Sequence, residues 1–201
     1  MPKETAEKRR IQRHITNLNS PDENVSARAE GYLIRYYGSR ALEQLLEACH
    51  HPNPVVRFRA AWVLGYTHDP RAYETILRLT DDPDERVRYD ATVALGILGD
   101  ERAIEPLTRI YLSQDETRPA GMASHRMGPK AVPALIEVLR QGNAHVRHSV
   151  VNVLGGLAQD YGDKRCIELL QGCLNDPDPL VKKDAEFWLE ELGRAELSIC
   201  T

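Results

Sequence analysis

The chain has 201 residues, 42% of them hydrophobic and 28% charged, the balance of a soluble globular protein. A formal charge of -4 and a pI near 6.0 give no global attraction to polyanions, so nucleic acid is not the default partner. No apolar run approaches the ~18–20 residues that cross a bilayer, "MPKETAEKRR" lacks the apolar segment of a secretory signal, and Cys49, Cys166, Cys173 and Cys200 show no metal-binding spacing. The expectation is a cytoplasmic protein with free thiols and no membrane segment.

The first predicted element is an amphipathic helix in "KETAEKRRIQRHITNL". Its basic cluster, Lys8, Arg9, Arg10, Arg13 and His14, reads as a solvated cap on the first repeat. From there a pattern recurs. Pro21, Pro52 and Pro83 are spaced by 31 residues, and each is followed four places on by Val25, Val56 or Val87. The register returns from Gly142 and from Pro177, with Val146 and Val181. Counted from this anchor, places 4, 8, 11, 12 and 15 fall on one helical face and form the expected core. In the first copy they are Val25, Ala29, Tyr32, Leu33 and Tyr36; in the third, Val87, Ala91, Ala94, Leu95 and Leu98. Asp22, Asn53, Asp84 and Asp178 directly follow the prolines and supply N-caps.

Shorter amphipathic helices lie between these: "SRALEQLLEACH", "PRAYETILRLTD", "ERAIEPLTRIYL", "PKAVPALIEVLR" and "KRCIELLQGCLN". Pro106 and Pro133 inside two of them require an early-helix place or a kink. Within 113–130, "SQDETRPAGMASHRMGPK", the register lapses. Pro119 and Gly121 are expected to break that helix, and Gly128 and Pro129 to close it, leaving at most a short one.

A helix pair of this size cannot bury its apolar face alone, so pairs must stack. The expected fold is all-α, a right-handed α-solenoid of about six helical hairpins. It spans 1–201 as a single domain, with a degenerate repeat near 113–128 and a short tail, 195–201, against the last repeat. The motif "VRxxAxxALGxLGDxRAxxPL" resembles the HEAT-repeat group, and within it the PBS-lyase HEAT-like repeats named for phycobilisome chromophore lyases. The resemblance implies an Arg-to-Asp ladder between neighbouring repeats, carried at place 5 by Arg57, Arg88 and Arg147 and by Lys182 in the last copy; Ser26 departs from it in the first.

The resemblance also implies that the Val-Arg helices line a concave face. Places 6, 10 and 13 point away from the core stripe, which puts Phe58, Trp62, Tyr89 and Val93 in one aromatic patch over two repeats. His148, Asn152 and Phe187 take the same places further on. Trp and Tyr are enriched at binding hot spots, so these seven residues are the expected partner-binding surface. Arg118, His125 and Arg126, beside Met122 and Met127, form a candidate anion or ligand notch in the lapsed repeat.

No catalytic signature accompanies them. The iron-binding His-Glu dipeptides of HEAT-like deoxyhypusine hydroxylases do not occur, and neither does a phosphate-binding GxxxxGK[ST] loop or a GxSxG elbow. His50-His51 and the pair His145 and His148 have no evident third ligand, so no metal is expected. The expected function is a non-catalytic protein-protein interaction scaffold without a cofactor. Similarity to phycobilin lyases implies one alternative, a chromophore-handling role in which a tetrapyrrole's propionates meet Arg118 or Arg126. Similarity to HEAT-like DNA glycosylases implies another, nucleic-acid binding, which the acidic charge disfavours.

Overall fold

The computed structural model describes residues 6–113 and 117–199, with side chains through residue 194. The tail 195–201 and Cys200, expected to pack on the last repeat and to be a free thiol, therefore lie outside the described side chains. Among the described residues every regular element is helical. The helices gather into two compact units, Met1–Asp100 and Glu101–Thr201. The first holds α1 (Ala6–Asn17), α2 (Glu23–Tyr32), α3 (Leu42–Ala48), α4 (Pro54–Gly65), α5 (Tyr73–Leu79) and α6 (Glu85–Leu98). The second holds α7 (Ile104–Leu112), α8 (Thr117–Met127), α9 (Val132–Gln141), α10 (Ala144–Tyr161), α11 (Lys164–Cys173) and α12 (Pro179–Ile199).

Each odd helix pairs with the even one that follows, and like packs on like: α4 on α6, α8 on α10 and α10 on α12 in the Val-Arg layer, α1 on α3, α7 on α9 and α9 on α11 in the other. Each unit is thus an all-α stack of helical hairpins of the solenoid class, with its core between the two layers. Cys49, Cys166 and Cys173 are buried free thiols there, and burial pushes Cys49 up to about 12 and Cys166 to about 11.

The anchor works by capping. Asp22, Asn53, Asp84, Asn143 and Asp178 each accept a backbone N–H of the first turn, satisfying groups that have no intrahelical partner. Pro106 and Pro119 are third residues of α7 and α8, and Pro133 is second in α9. In the first turn the missing proline N–H costs nothing, so none of the three breaks its helix. This corrects the expectation for the lapsed repeat: α8 runs 11 residues, up to Met127, where Gly128 turns with φ +66.

Gly121 has a packing role. A Cβ there would lie 2.9 Å from the hydroxyl of Tyr111, whose side chain is fully buried. Burial pushes the phenol pKa above its ordinary value, against a smaller opposite effect of Ser149, and the hydroxyl makes no well-formed hydrogen bond. Tyr111→Phe should therefore leave stability unchanged or raise it by up to about 1 kcal/mol. Thermal unfolding is the check, and a loss above that size would make Ser149 a full partner.

Of the expected ladder, one Arg-to-Asp rung is formed in each unit among the described residues, while Arg88 donates to the Asp82 and Pro83 carbonyl oxygens. Arg57 holds Asp82 through two bonds of 2.8 and 2.7 Å and also donates to the Pro52 carbonyl oxygen. Arg147 holds Asp176 at 2.7 and 2.8 Å and donates to the Gly142 oxygen. The two acids precede the next anchors, Pro83 and Pro177, and each accepts the N–H two residues on, from Asp84 and Asp178. Where Ser26 replaces the arginine, the acid is gone too: His51 precedes Pro52, and its Nδ1 accepts the Asn53 N–H instead. Both ends of the rung are lost together while the turn is kept.

Place 13, expected on the exposed face, is buried at Gly65, Gly96 and Gly155, and in α4 and α10 it forms the seam with the next Val-Arg helix. A Cβ on Gly65 would meet the Ala94 carbonyl oxygen at 2.9 Å, and one on Gly155 would enter the Trp188 ring at 2.0 Å. The repeated Leu-Gly is thus a close-approach device.

Candidate functional site

The first unit's Val-Arg layer carries a cleft of about 340 Å³ lined by Glu23 and Glu30 of α2, Phe58, Arg59 and Trp62 of α4, and Arg86 and Asp90 of α6. Two expected residues, Phe58 and Trp62, line it, and both are half-buried. Helical spacing puts them one turn apart on α4, facing the groove between α2 and α6. The Arg86 guanidinium lies over the Phe58 ring at 5.0 Å and that of Arg59 at 5.7 Å. Trp62 meets Tyr66 edge to face at 5.4 Å. Tyr89 is half-buried one turn before Val93. Val93 itself is 1% exposed, so it belongs to the core and not to the patch. The reason is the setting of α6: every residue from Asp90 to Leu98 is buried, leaving no solvent face on that stretch.

Both arginines of the cleft are paired, one between helices and one along a helix, and Glu23 adds a third carboxylate. Arg59 Nε is 3.3 Å from Glu30 Oε1 and its Nη1 donates to the Leu18 oxygen at 2.7 Å. Arg86 donates to Asp90 at 2.5 Å. Desolvation nevertheless outweighs these arginines and holds both carboxyls above their usual range, Glu30 further raised by the charge of Asp90. Stability tied to a raised carboxyl is present at low pH and lost as pH rises through its folded-state pKa. Asp82, Asp176 and Asp163 are depressed, and Asp69 is held at about 2 by Arg71, so their contribution is lost as pH falls from about 4 towards 2. Asp90→Asn should accordingly cost under about 0.5 kcal/mol at pH 7, whereas the acid limb of a pH-stability curve should begin below about pH 4 and shift only when the depressed group is replaced. Urea midpoints across pH check both.

The second unit places the remaining expected residues differently. Asn152 donates to Asp184 at 2.8 Å and accepts from Trp188 Nε1 at 3.1 Å, so its amide is committed to joining α10 to α12. His148 Nδ1 is 2.8 Å from the same Asp184 oxygen, close enough for an ion pair with a protonated ring but out of line for a good hydrogen bond. Phe187 is 55% exposed and edge-on to Trp188. In the lapsed repeat, Arg118 and Arg126 lie on the exposed stripe of α8 with Met122 between, two turns apart. His125 turns instead to α10, with Nε2 3.1 Å from Asp160 and its ring edge-on to Tyr161. The expected notch is therefore not assembled from these three.

His50 and His51 border a separate cleft of about 460 Å³ beside α1 and α3. His145 meets Thr117, not His148. Among the described residues no group of three His, Cys, Asp or Glu is placed to hold a metal, and no helix is long and apolar enough to cross a membrane.

One cluster was missed by sequence reasoning. Tyr32 and Tyr36, assigned to the core, are 43% and 53% exposed, and Val25 is exposed as well, while Ser26, Ala29 and Leu33 are buried. In this terminal repeat the buried face shifts to Ser26, Ala29 and Leu33, and the helix continues into a π turn, Leu33–Tyr37, closed by Gly38 with φ 50. The signal available in sequence was the polar-flanked "RYYGSR".

Comparison with known proteins bears on the fold. The CpcE and CpcF complex of phycocyanin lyase from Nostoc sp. PCC7120 is similar over 92% of this chain and 76% of that one, with 22% identity and a TM-score of 0.54. Human deoxyhypusine hydroxylase in complex with glycerol aligns over 92% and 96%, with 20% identity and a TM-score of 0.42. A designed armadillo repeat protein aligns over 90% and 99%, with 17% identity and a TM-score of 0.43. No curated protein sequence matches. The HEAT-repeat sequence profile matches residues 41–123 and 120–190, most of the chain, and with the stacked hairpins described above it makes this protein a member of the HEAT-repeat family.

Proposed function

We propose that the protein is a non-catalytic interaction scaffold that docks a segment of a partner protein in the cleft between α2, α4 and α6. The observation that carries this reading is the half-exposed pair Phe58 and Trp62 walling a cleft whose two arginines are already paired with Glu30 and Asp90. Such a site offers aromatic area for an anchor side chain and, on its rim, carboxylates and the exposed Arg86 side chain for orientation. Tyr89 extends the surface on α6. The repeat fold supports a scaffold in general. The likeness to a phycocyanin lyase, at 22% identity, supports the fold and not a chromophore.

The test is selection of 12-residue peptides from a random library on the wild-type protein. Peptides that use the cleft should lose at least tenfold in affinity on Trp62→Ala, because a central aromatic contributes on the order of 2 kcal/mol. Peptides that bind wild type and Trp62→Ala or Phe58→Ala equally would show that the cleft is not the docking surface. A bilin absorbance change on mixing would favour the lyase-like alternative.

A further inference from the structure

The first repeat holds an arrangement that the cleft does not use. His14 of α1 stacks on Tyr32 with ring centroids 5.1 Å apart and planes 20° apart, and Tyr32 meets Tyr36 at 5.3 Å and 33°. These three rings form a ladder with Tyr32 in the middle and Tyr36, 53% exposed, at its outer end. The π turn packs Tyr37 beside it, 5.8 Å from His14. Burial, with the charge of Arg13 behind it, lowers the His14 pKa, so the ring stacks in its neutral form. Alongside lies a further cleft of about 410 Å³, bordered by Glu7, Arg10, Tyr32, Tyr36, Tyr37 and Arg40.

The charge around this ladder runs against that of the whole chain. Arg10 and Arg40 border the cleft, Arg13 lies near His14, and all three are exposed, while Glu7, the carboxylate in the cleft lining, is taken up by Arg40 at 2.6 Å. Arg40 in turn lies over Tyr37 at 5.7 Å. Flat aromatic faces flanked by guanidinium groups suit a ligand that is itself both flat and polyanionic. An acidic peptide would satisfy the arginines and leave the ring faces unused. A stacked base with its phosphates satisfies both.

We propose that the first repeat binds single-stranded nucleic acid, a base stacking on Tyr36 at the exposed end of the ladder and the phosphates lying along Arg10, Arg13 and Arg40. The site is separate from the Phe58 and Trp62 cleft and does not depend on the scaffold reading. About three phosphates are within its reach, which for a single strand means a slope of log K against log salt near -2 and roughly a twentyfold loss from 50 to 200 mM salt.

The test is fluorescence anisotropy of a labelled 12-mer oligouridylate with the full chain. Tyr36→Ala should weaken binding roughly tenfold and Tyr36→Phe by no more than about twofold, since only the first removes the ring. Arg10→Ala with Arg13→Ala should reduce the salt slope by about 1.4, and Trp62→Ala, which alters only the other cleft, should leave oligonucleotide affinity unchanged. Because Tyr36 and Arg10 are exposed, circular dichroism should show all variants folded. The proposal is overturned by no binding at 50 mM salt, by equal binding of wild type and Tyr36→Ala, or by a 12-residue polyglutamate or a duplex binding as tightly as the single strand.

Discussion

Asp82→Ala is expected to lower the unfolding free energy by about 2 kcal/mol, a fall in Tm of roughly 4–8 °C for a chain of this length. The mutation removes both oxygens that hold Arg57 and the acceptor for the Asp84 N–H at the start of α6. It also leaves a guanidinium whose side chain is only 14% exposed without its counter-charge. Stranding a fully buried charge costs about 3–5 kcal/mol. The smaller figure applies because Arg57 keeps the His51 and Pro52 carbonyl oxygens and sits near enough to the surface for water to screen it. Replacing both ends, Arg57→Met with Asp82→Leu, should cost less than Asp82→Ala alone, since no charge is stranded. A double mutant that is worse than either single would show that the ion pair itself, and not the penalty of breaking it, stabilises the rung. The equivalent change in the second unit, Asp176→Ala, should act alike, because Arg147 has the same two kinds of partner.

Gly155→Ala should destabilise by a similar amount, about 1–3 kcal/mol, despite placing a better helix former in α10. In an open helix the substitution would gain about 1 kcal/mol. Here the new methyl would sit 2.0 Å from Trp188 Cδ2, well inside van der Waals contact, so the indole must leave its seat. Its departure breaks the bond from Trp188 Nε1 to Asn152 and loosens the junction that Asp184 completes. With Trp62→Phe as background, Trp188 is the remaining tryptophan, and its emission should shift to the red as the ring meets water. An unshifted, equally stable variant would mean that α12 can step away from α10 without loss.

Much of this architecture was legible because it rests on local, periodic causes. A capping Asp or Asn one place after each anchor, apolar residues at helical spacing and an arginine at place 5 each act within a turn or between adjacent turns, so the pattern that repeats in sequence repeats in structure. Even the loss of the first rung could be read at Ser26. Proline was over-read in the lapsed repeat, since what matters is its position within the first turn.

The candidate site was legible only in part. Phe58 and Trp62 were found because a place on the helix face opposite the core stripe implies exposure when one side of the helix is free. The same rule failed at Val93, Gly65 and Gly155, where a second neighbour covers the face, and at Asn152, whose amide is consumed by α12. It failed in the opposite sense at Tyr32 and Tyr36, which occupy core places but stay exposed in the terminal repeat. Sequence by itself determined the helices, their pairing and the family, because these follow from periodicity and capping along one chain. Which faces remained open, which charges found partners and where aromatic rings gathered were decided only by tertiary structure, because burial depends on how many neighbours a helix acquires.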